Sequence, residues 1–293
     1  MEKINLSVER SFSDLITATI NFMKQEFVPF IRAFAVIGFP VILLVVFLMK
    51  DLLLGALDMT YNPQQYLGTT DAFGNVMINS MMTGLFAMIM VAWVQLFSIC
   101  YLRVYWDHYR GGVEERITIS EVFAMMMRKL GIFIVWSLFY MIIVVVGCLF
   151  LIVPGIYFGV ALTFGTYLII IKDNGFDALM SRAMAITKGN WWRTVGYAVV
   201  LQLLVGVVAY VFSIPYMALT VTSAFTGEMP GIYEVTFTLL LSYLGKYTLH
   251  TIVFIGLGMF FFSRSEEMEH TTLLSRIDEL GTRPENKTDE MAD

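Results

Sequence analysis

Few residues in this chain can do chemistry, and they are scattered. The three histidines, His108, His250 and His270, lie far apart. In the run Trp106 to Arg110, Asp107 precedes His108, an acid beside a base that could move a proton at a membrane surface. Adjacent residues of a helix point about 100° apart, so the two do not converge on one proton, and a solvated helix end is the simpler reading. Lys246 and His250 are one helical turn apart, with Tyr243 and Tyr247 beside them. Gln95 and Gln202 sit near the middle of long apolar runs. Polar groups in such surroundings are costly and often mark a pathway. These four residues, Gln95, Gln202, Lys246 and His250, form the candidate polar pocket. Each also has a plainer reading. The amides can hydrogen-bond neighbouring helices. Lys246 lies 18 residues before Arg264, roughly 27 Å along a helix, so its ammonium can reach the far interface with His250 one turn deeper.

Other chemistries leave no trace. There is no phosphate-binding glycine loop, no His/Cys cluster with metal-ligand spacing and no Ser-His-Asp pattern. The apolar runs hold no convincing Asp or Glu, which weakens a carboxylate relay for proton- or sodium-coupled transport. We therefore expect no catalytic residue, no metal, no cofactor and no nucleic-acid partner. Cys100 and Cys148 both fall inside apolar runs and read as buried thiols.

The elements that must position these residues follow from composition. Of 293 residues, 58% are hydrophobic and 15% charged, against roughly 25% charged in a soluble domain. Too little polar surface is available to cover a water-soluble globule. The predicted class is all-α, a polytopic membrane protein. Six apolar runs are long enough to span: Ala33 to Met49, Met81 to Leu102, Gly131 to Val153, Ile156 to Ile171, Thr194 to Ile214, and one that starts between Glu234 and Tyr247 and ends at Arg264. Pro154-Gly155 reads as a tight turn between the third and fourth, and Pro215 as the stop of the fifth. Gly155 and Gly159 make a close-packing pair. Of the 19 basic residues, 17 fall in the N-terminal segment, the segments after spans two and four, and the C-terminus. Only Lys50 and Lys246 lie elsewhere. Basic residues are retained on the cytoplasmic side, so both termini are expected there, with 51–80 and 215–233 as outer loops.

A small polar residue followed three positions later by an acid precedes spans one, three and five. The pairs are Ser11 with Asp14, Thr118 with Glu121 and Asn174 with Asp177. Each can cap a helix, and the acid suits the positive end of the helix dipole. Each segment has helical apolar spacing and ends in basic residues. Three cytoplasmic amphipathic helices, one before each pair of spans, are the expectation, each lying in the interface with its apolar face in lipid. The repeating units are about 11–110, 118–172 and 174–264, within a membrane domain covering 1–281. In the third segment Asn174, Asp177, Arg182, Lys188, Trp191, Trp192 and Arg193 are the expected interfacial anchors. Leu273, Leu274, Ile277 and Leu280 form one more amphipathic stripe, and 282–293 reads as a disordered polar tail.

Pro154-Gly155-Ile156-Tyr157, Asp173, Gly175, Ala178-Leu179, Ser181, Lys188-Gly189-Asn190 and Arg193 carry a resemblance. Their stretch resembles an uncharacterised family of bacterial multi-pass membrane proteins. It is similar to the membrane domain that precedes some glycerophosphodiester phosphodiesterases. The run Ser263 to Gly281 resembles the tail of a multi-pass family of Bacteroidota-type bacteria. No phosphodiesterase domain occurs in these residues, so the resemblance implies a fold and a bacterial inner membrane, not a reaction. The function expected is non-enzymatic: organising membrane or lipid, or scaffolding a protein partner or a second copy. The alternative is a transporter or lipid translocator with a polar path between helices.

Overall fold

The computed structural model describes residues 4–62, 70–150 and 152–281. The described residues form ten helices and no strand: α1 (Phe12–Ile37), α2 (Phe39–Tyr61), α3 (Thr70–Arg110), α4 (Ile119–Phe150), α5 (Ile152–Leu162), α6 (Gly165–Ile171), α7 (Phe176–Thr187), α8 (Trp191–Val211), α9 (Ile214–Thr226) and α10 (Ile232–Gly281). Five helical stretches are long and apolar enough to cross a membrane, and a sixth is reached if α1 and α2 count as one bent span. The architecture is that of an all-helical membrane protein. The polar tail 282–293 lies outside the described residues, as do the side chains of the expected stripe Leu273 to Leu280.

α10 is the axis of the bundle. It packs against α1, α2, α3, α7, α8 and α9. Its glycines let neighbours approach. A Cβ added to Gly256 would lie 2.5 Å from Leu201, and one added to Gly258 would overlap Leu102. An aromatic layer surrounds this helix. Phe164 stacks on Phe260 at 5.7 Å, Tyr167 on Phe261 at 5.6 Å and Tyr197 on Phe260 at 5.4 Å. The buried tyrosines find backbone partners, as a hydroxyl away from water must. Tyr167 donates to the Phe254 carbonyl at 2.8 Å and Tyr197 to that of Gly256 at 3.2 Å.

The helix borders depart from the sequence reading for local reasons. α1 and α2 bend by 44° at Gly38, where Pro40 removes a backbone donor. The segments after Ser11 and Thr118 run unbroken into α1 and α4, because their apolar spacing continues in phase with that of the spans. Of the three expected short helices, only α7 is separate. Pro154-Gly155 is not the turn. It lies in the first turn of α5, where the missing N–H of proline costs nothing. Gly155 instead serves the α4–α5 crossing: its added Cβ would lie 2.6 Å from the Cys148 backbone nitrogen. α8 ends at Val211, ahead of Pro215, which opens α9. Residues 215–226 of the expected outer loop are therefore helical. Gly227, at φ 72°, closes α9 in the left-handed conformation. Cys100 is buried as expected, but Cys148 is exposed, because the C-terminal part of α4 turns most of its surface away from the bundle.

Candidate functional site: a polar layer at the basic end

The three expected caps behave differently. Ser11 caps α1, its hydroxyl oxygen accepting from the Asp14 N–H at 3.3 Å. Thr118 and Glu121 form a reciprocal pair at the start of α4. The Thr118 N–H donates to Glu121 Oε2 at 2.8 Å, and the Glu121 N–H to Thr118 Oγ1 at 3.4 Å. Asn174 does not cap α7. That position is taken by Gly175, which offers no side chain. The Asn174 amide instead faces the guanidinium of Arg182, one element further on. Asp173 is the reason. It adopts φ 52°, the only non-glycine at positive φ among the described residues, and the chain turns before Asn174 can reach the helix.

Asp173 is a junction. Its Oδ2 lies 3.2 Å from Arg103 Nη2, and its Oδ1 accepts from Lys129. Arg103 also donates from Nε to Asp107 at 2.8 Å and reaches the Ile171 carbonyl, while Lys129 reaches that of Ile169 at 3.3 Å. Two cations from α3 and α4 thus close the free carbonyl end of α6. Burial works against the Asp173 charge, but Lys129, Arg103 and Arg128 outweigh it and hold the carboxyl below its ordinary range.

A second junction joins α10 to the anchors. Arg264 is 6% exposed. Its Nε donates to the Ile186 carbonyl at 3.3 Å, and it pairs with Glu267. With the Asn190 amide turned to satisfy both groups, its oxygen accepts from Arg264 Nη2 at 3.1 Å. Arg193 donates to the Arg10 carbonyl at 3.0 Å, and the Arg10 N–H donates to Ser263 Oγ at 2.9 Å. Ser7 donates to Glu266 at 2.6 Å, and the Ile4 N–H to the Tyr105 hydroxyl at 2.7 Å. Lys172 meets Glu269 at 2.9 Å. The stretch before α1 is thereby stitched across α3, α8 and α10.

The remaining expected anchors divide. Trp192 is 79% exposed. Trp191 stacks on Tyr157 at 6.0 Å and donates to its carbonyl at 3.4 Å. Asp177 and Lys188 are exposed. The apolar face of α7 turns inward: Leu179 and Ala183 are fully buried, Ile186 nearly so, and α7 packs on α5, α6 and α10. Those neighbours supply the apolar surface that covers it. Phe176 reaches Trp136 and Phe139 at 5.9 and 5.3 Å, and its outer side stays exposed with Met180.

The candidate polar pocket is not gathered by any interaction. Among the described residues no hydrogen bond or ion pair links Gln95, Gln202, Lys246 and His250. Gln202 and Lys246 are exposed, Gln95 and His250 half-buried. Lys246 lies 5.8 Å over the Tyr247 ring, and His250 packs edge-on to Phe254 at 5.1 Å.

Two cavities open at the basic end instead. One, of about 350 Å³, is bordered by Gln25, Glu26, Tyr105, Glu114, Glu115 and Arg116. The other, of about 370 Å³, lies between the end of α3 and the start of α4, with Asp107, His108, Glu121 and Arg128 as its polar lining. His108 Nε2 is 3.3 Å from Glu121 Oε1 across it. Sequence reasoning noticed Asp107 and His108 but missed Glu121 and Arg128 as their companions, because the pairing crosses a helix-to-helix turn. Comparison of the chain with protein families, curated proteins and solved structures returns no match.

Proposed function

We propose that the chain is a non-enzymatic integral protein of a bacterial inner membrane, with both termini in the cytoplasm. It organises lipid by holding headgroups on the polar layer at its basic end. The same layer offers a surface to a protein partner or a second copy. One observation carries the reading. Among the described residues every ion pair except Lys50–Asp51 belongs to that layer. Charge placed there meets water and headgroups rather than hydrocarbon, and it attracts anionic lipid over about a Debye length. The layer fixes the helix ends where a headgroup would lie.

The test is lipid retention. Protein extracted from membranes of mixed, defined lipid and released from detergent in a native mass spectrometer should carry lipids in ratios unlike those of the bulk. Bulk ratios, matching an unrelated six-span control, refute the reading. The alternative of a transporter or lipid translocator needs Gln95, Gln202, Lys246 and His250 on one path. The exposure of Gln202 and Lys246 weighs against it. Flux in proteoliposomes that disappears in the double variant Gln202→Leu with Lys246→Met would restore it.

A further inference from the structure

The groove between α3 and α4 has an uneven set of partners. Arg128 has no ion pair among the described residues, and its guanidinium meets a thioether: Nη2 donates to Met125 Sδ at 3.0 Å. Sulfur of that kind is a weak acceptor, so the planar guanidinium keeps most of its donors for an oxyanion. Asp107 and Glu121 lie on the same groove. Asp107 uses Oδ2 for Arg103, which leaves Oδ1 without an ion-pair partner. Glu121 uses Oε2 for the Thr118 cap, while Oε1 faces His108. The site therefore offers one fork for an oxyanion and, for a cation with N–H donors, Asp107 Oδ1 together with the second lone pair of Glu121 Oε1, which already meets His108 Nε2 at 3.3 Å.

The remaining wall is apolar, formed by Val104, Ala124 and Met125, and continues into the two spans. On the same turn of α3, Trp106 stacks on Tyr109 at 5.6 Å, and Arg110 lies 5.8 Å over the Trp106 ring. Amphipathic rings of this kind settle at headgroup depth. The volume, about 370 Å³, is within the ordinary size of small-molecule sites, about 300–1,000 Å³.

We infer that this groove takes the phosphoethanolamine group of a lipid, with the phosphate on Arg128 and the ammonium on Glu121 and Asp107. This rests on the lipid-organising reading and names the lipid class. A quaternary ammonium head has no N–H to give the carboxylates, and a glycerol head brings no positive charge to them. Both should lose to an ethanolamine head by about tenfold, the ratio expected of one charge-assisted hydrogen bond.

The experiment uses the full chain in nanodiscs with equal amounts of ethanolamine, choline and glycerol phospholipids, read by native mass spectrometry after detergent release. Ethanolamine lipid should be enriched about tenfold. Glu121→Gln keeps the cap, since glutamine at this position reaches back to the Thr118 N–H in the same way. It should lower the ethanolamine-to-glycerol ratio severalfold, Asp107 holding the remainder, without moving the melting temperature. Arg128→Gln should lower retention of all three phospholipids. Selective retention of choline or glycerol lipid, or ethanolamine enrichment unchanged in both variants, overturns this site while leaving the lipid-organising reading intact. Retention in bulk ratios overturns both. Binding of soluble glycerophosphoethanolamine with no enrichment of the lipid assigns the groove to a soluble ligand and overturns the lipid assignment.

Discussion

Gly165 opens α6, directly beneath Trp136 of α4. A Cβ added there would lie 2.8 Å from indole Cη2 and closer still to Cζ2 and Cε2. Ordinary carbon contacts are about 3.5–4.0 Å, so Gly165→Ala must drive the ring or α6 away by more than about 1 Å. Trp136 is 1% exposed and wedged against Phe139 and Phe176, so it has nowhere free to go. Overpacking of this kind costs about 1–3 kcal/mol. At roughly 3 °C per kcal/mol the melting point should fall by about 3–9 °C. The same shift presses on Phe176 and hence on α7, at the edge of the polar layer. The assay is thermal release of Cys100, which is fully buried until the helices part, to a thiol-reactive dye in a Cys148→Ser background. Gly206→Ala is the control. Its Cβ meets nothing within 4 Å, and alanine in a helix interior is favoured by up to about 1 kcal/mol. Adding Trp136→Phe, which removes the clashing benzo ring, should return part of the loss relative to Trp136→Phe alone. If Gly165→Ala melts with or above Gly206→Ala, the close α4–α6 crossing is wrong.

Arg264→Met should destabilise the chain by about 3 kcal/mol, because Glu267, Asn190 and the Ile186 carbonyl lose a buried partner; the same thermal assay reads it. The lowered Asp173 carboxyl contributes stability that is fully present above its ordinary value near 3.8 and is lost as pH falls through its lower folded value. Wild type should therefore lose melting temperature more steeply than Asp173→Asn as pH is taken from 5 toward 3, and parallel curves would contradict the junction. For the proposed orientation, Lys50→Cys should react with an impermeant thiol reagent on intact cells, and Arg128→Cys only after permeabilisation. The reverse pattern would invert the protein in the membrane.

The parts legible in the sequence are those set by neighbours along the chain. A long apolar run cannot face water, so the membrane class and the approximate helices followed from composition and length. The caps at Ser11 and Thr118 formed because both partners lie within three residues. The gathering of basic residues at one end is written directly in the order of the charges. Tertiary structure decided what those rules leave open. An amphipathic face can be covered by lipid or by protein, and Leu179 and Ala183 went to protein because α5, α6 and α10 pack against it. Asn174 lost its cap to Gly175 because Asp173 is pulled into a left-handed turn between Arg103 and Lys129, partners 70 and 44 residues away. Asp107 and His108 gained Glu121 and Arg128 across a helix-to-helix turn, and Arg264, deep within α10, was drawn onto Asn190. Local hydrogen bonding and hydrophobicity act over a few residues. Which charges meet, and which faces close, depends on helix packing among segments that the linear sequence keeps apart.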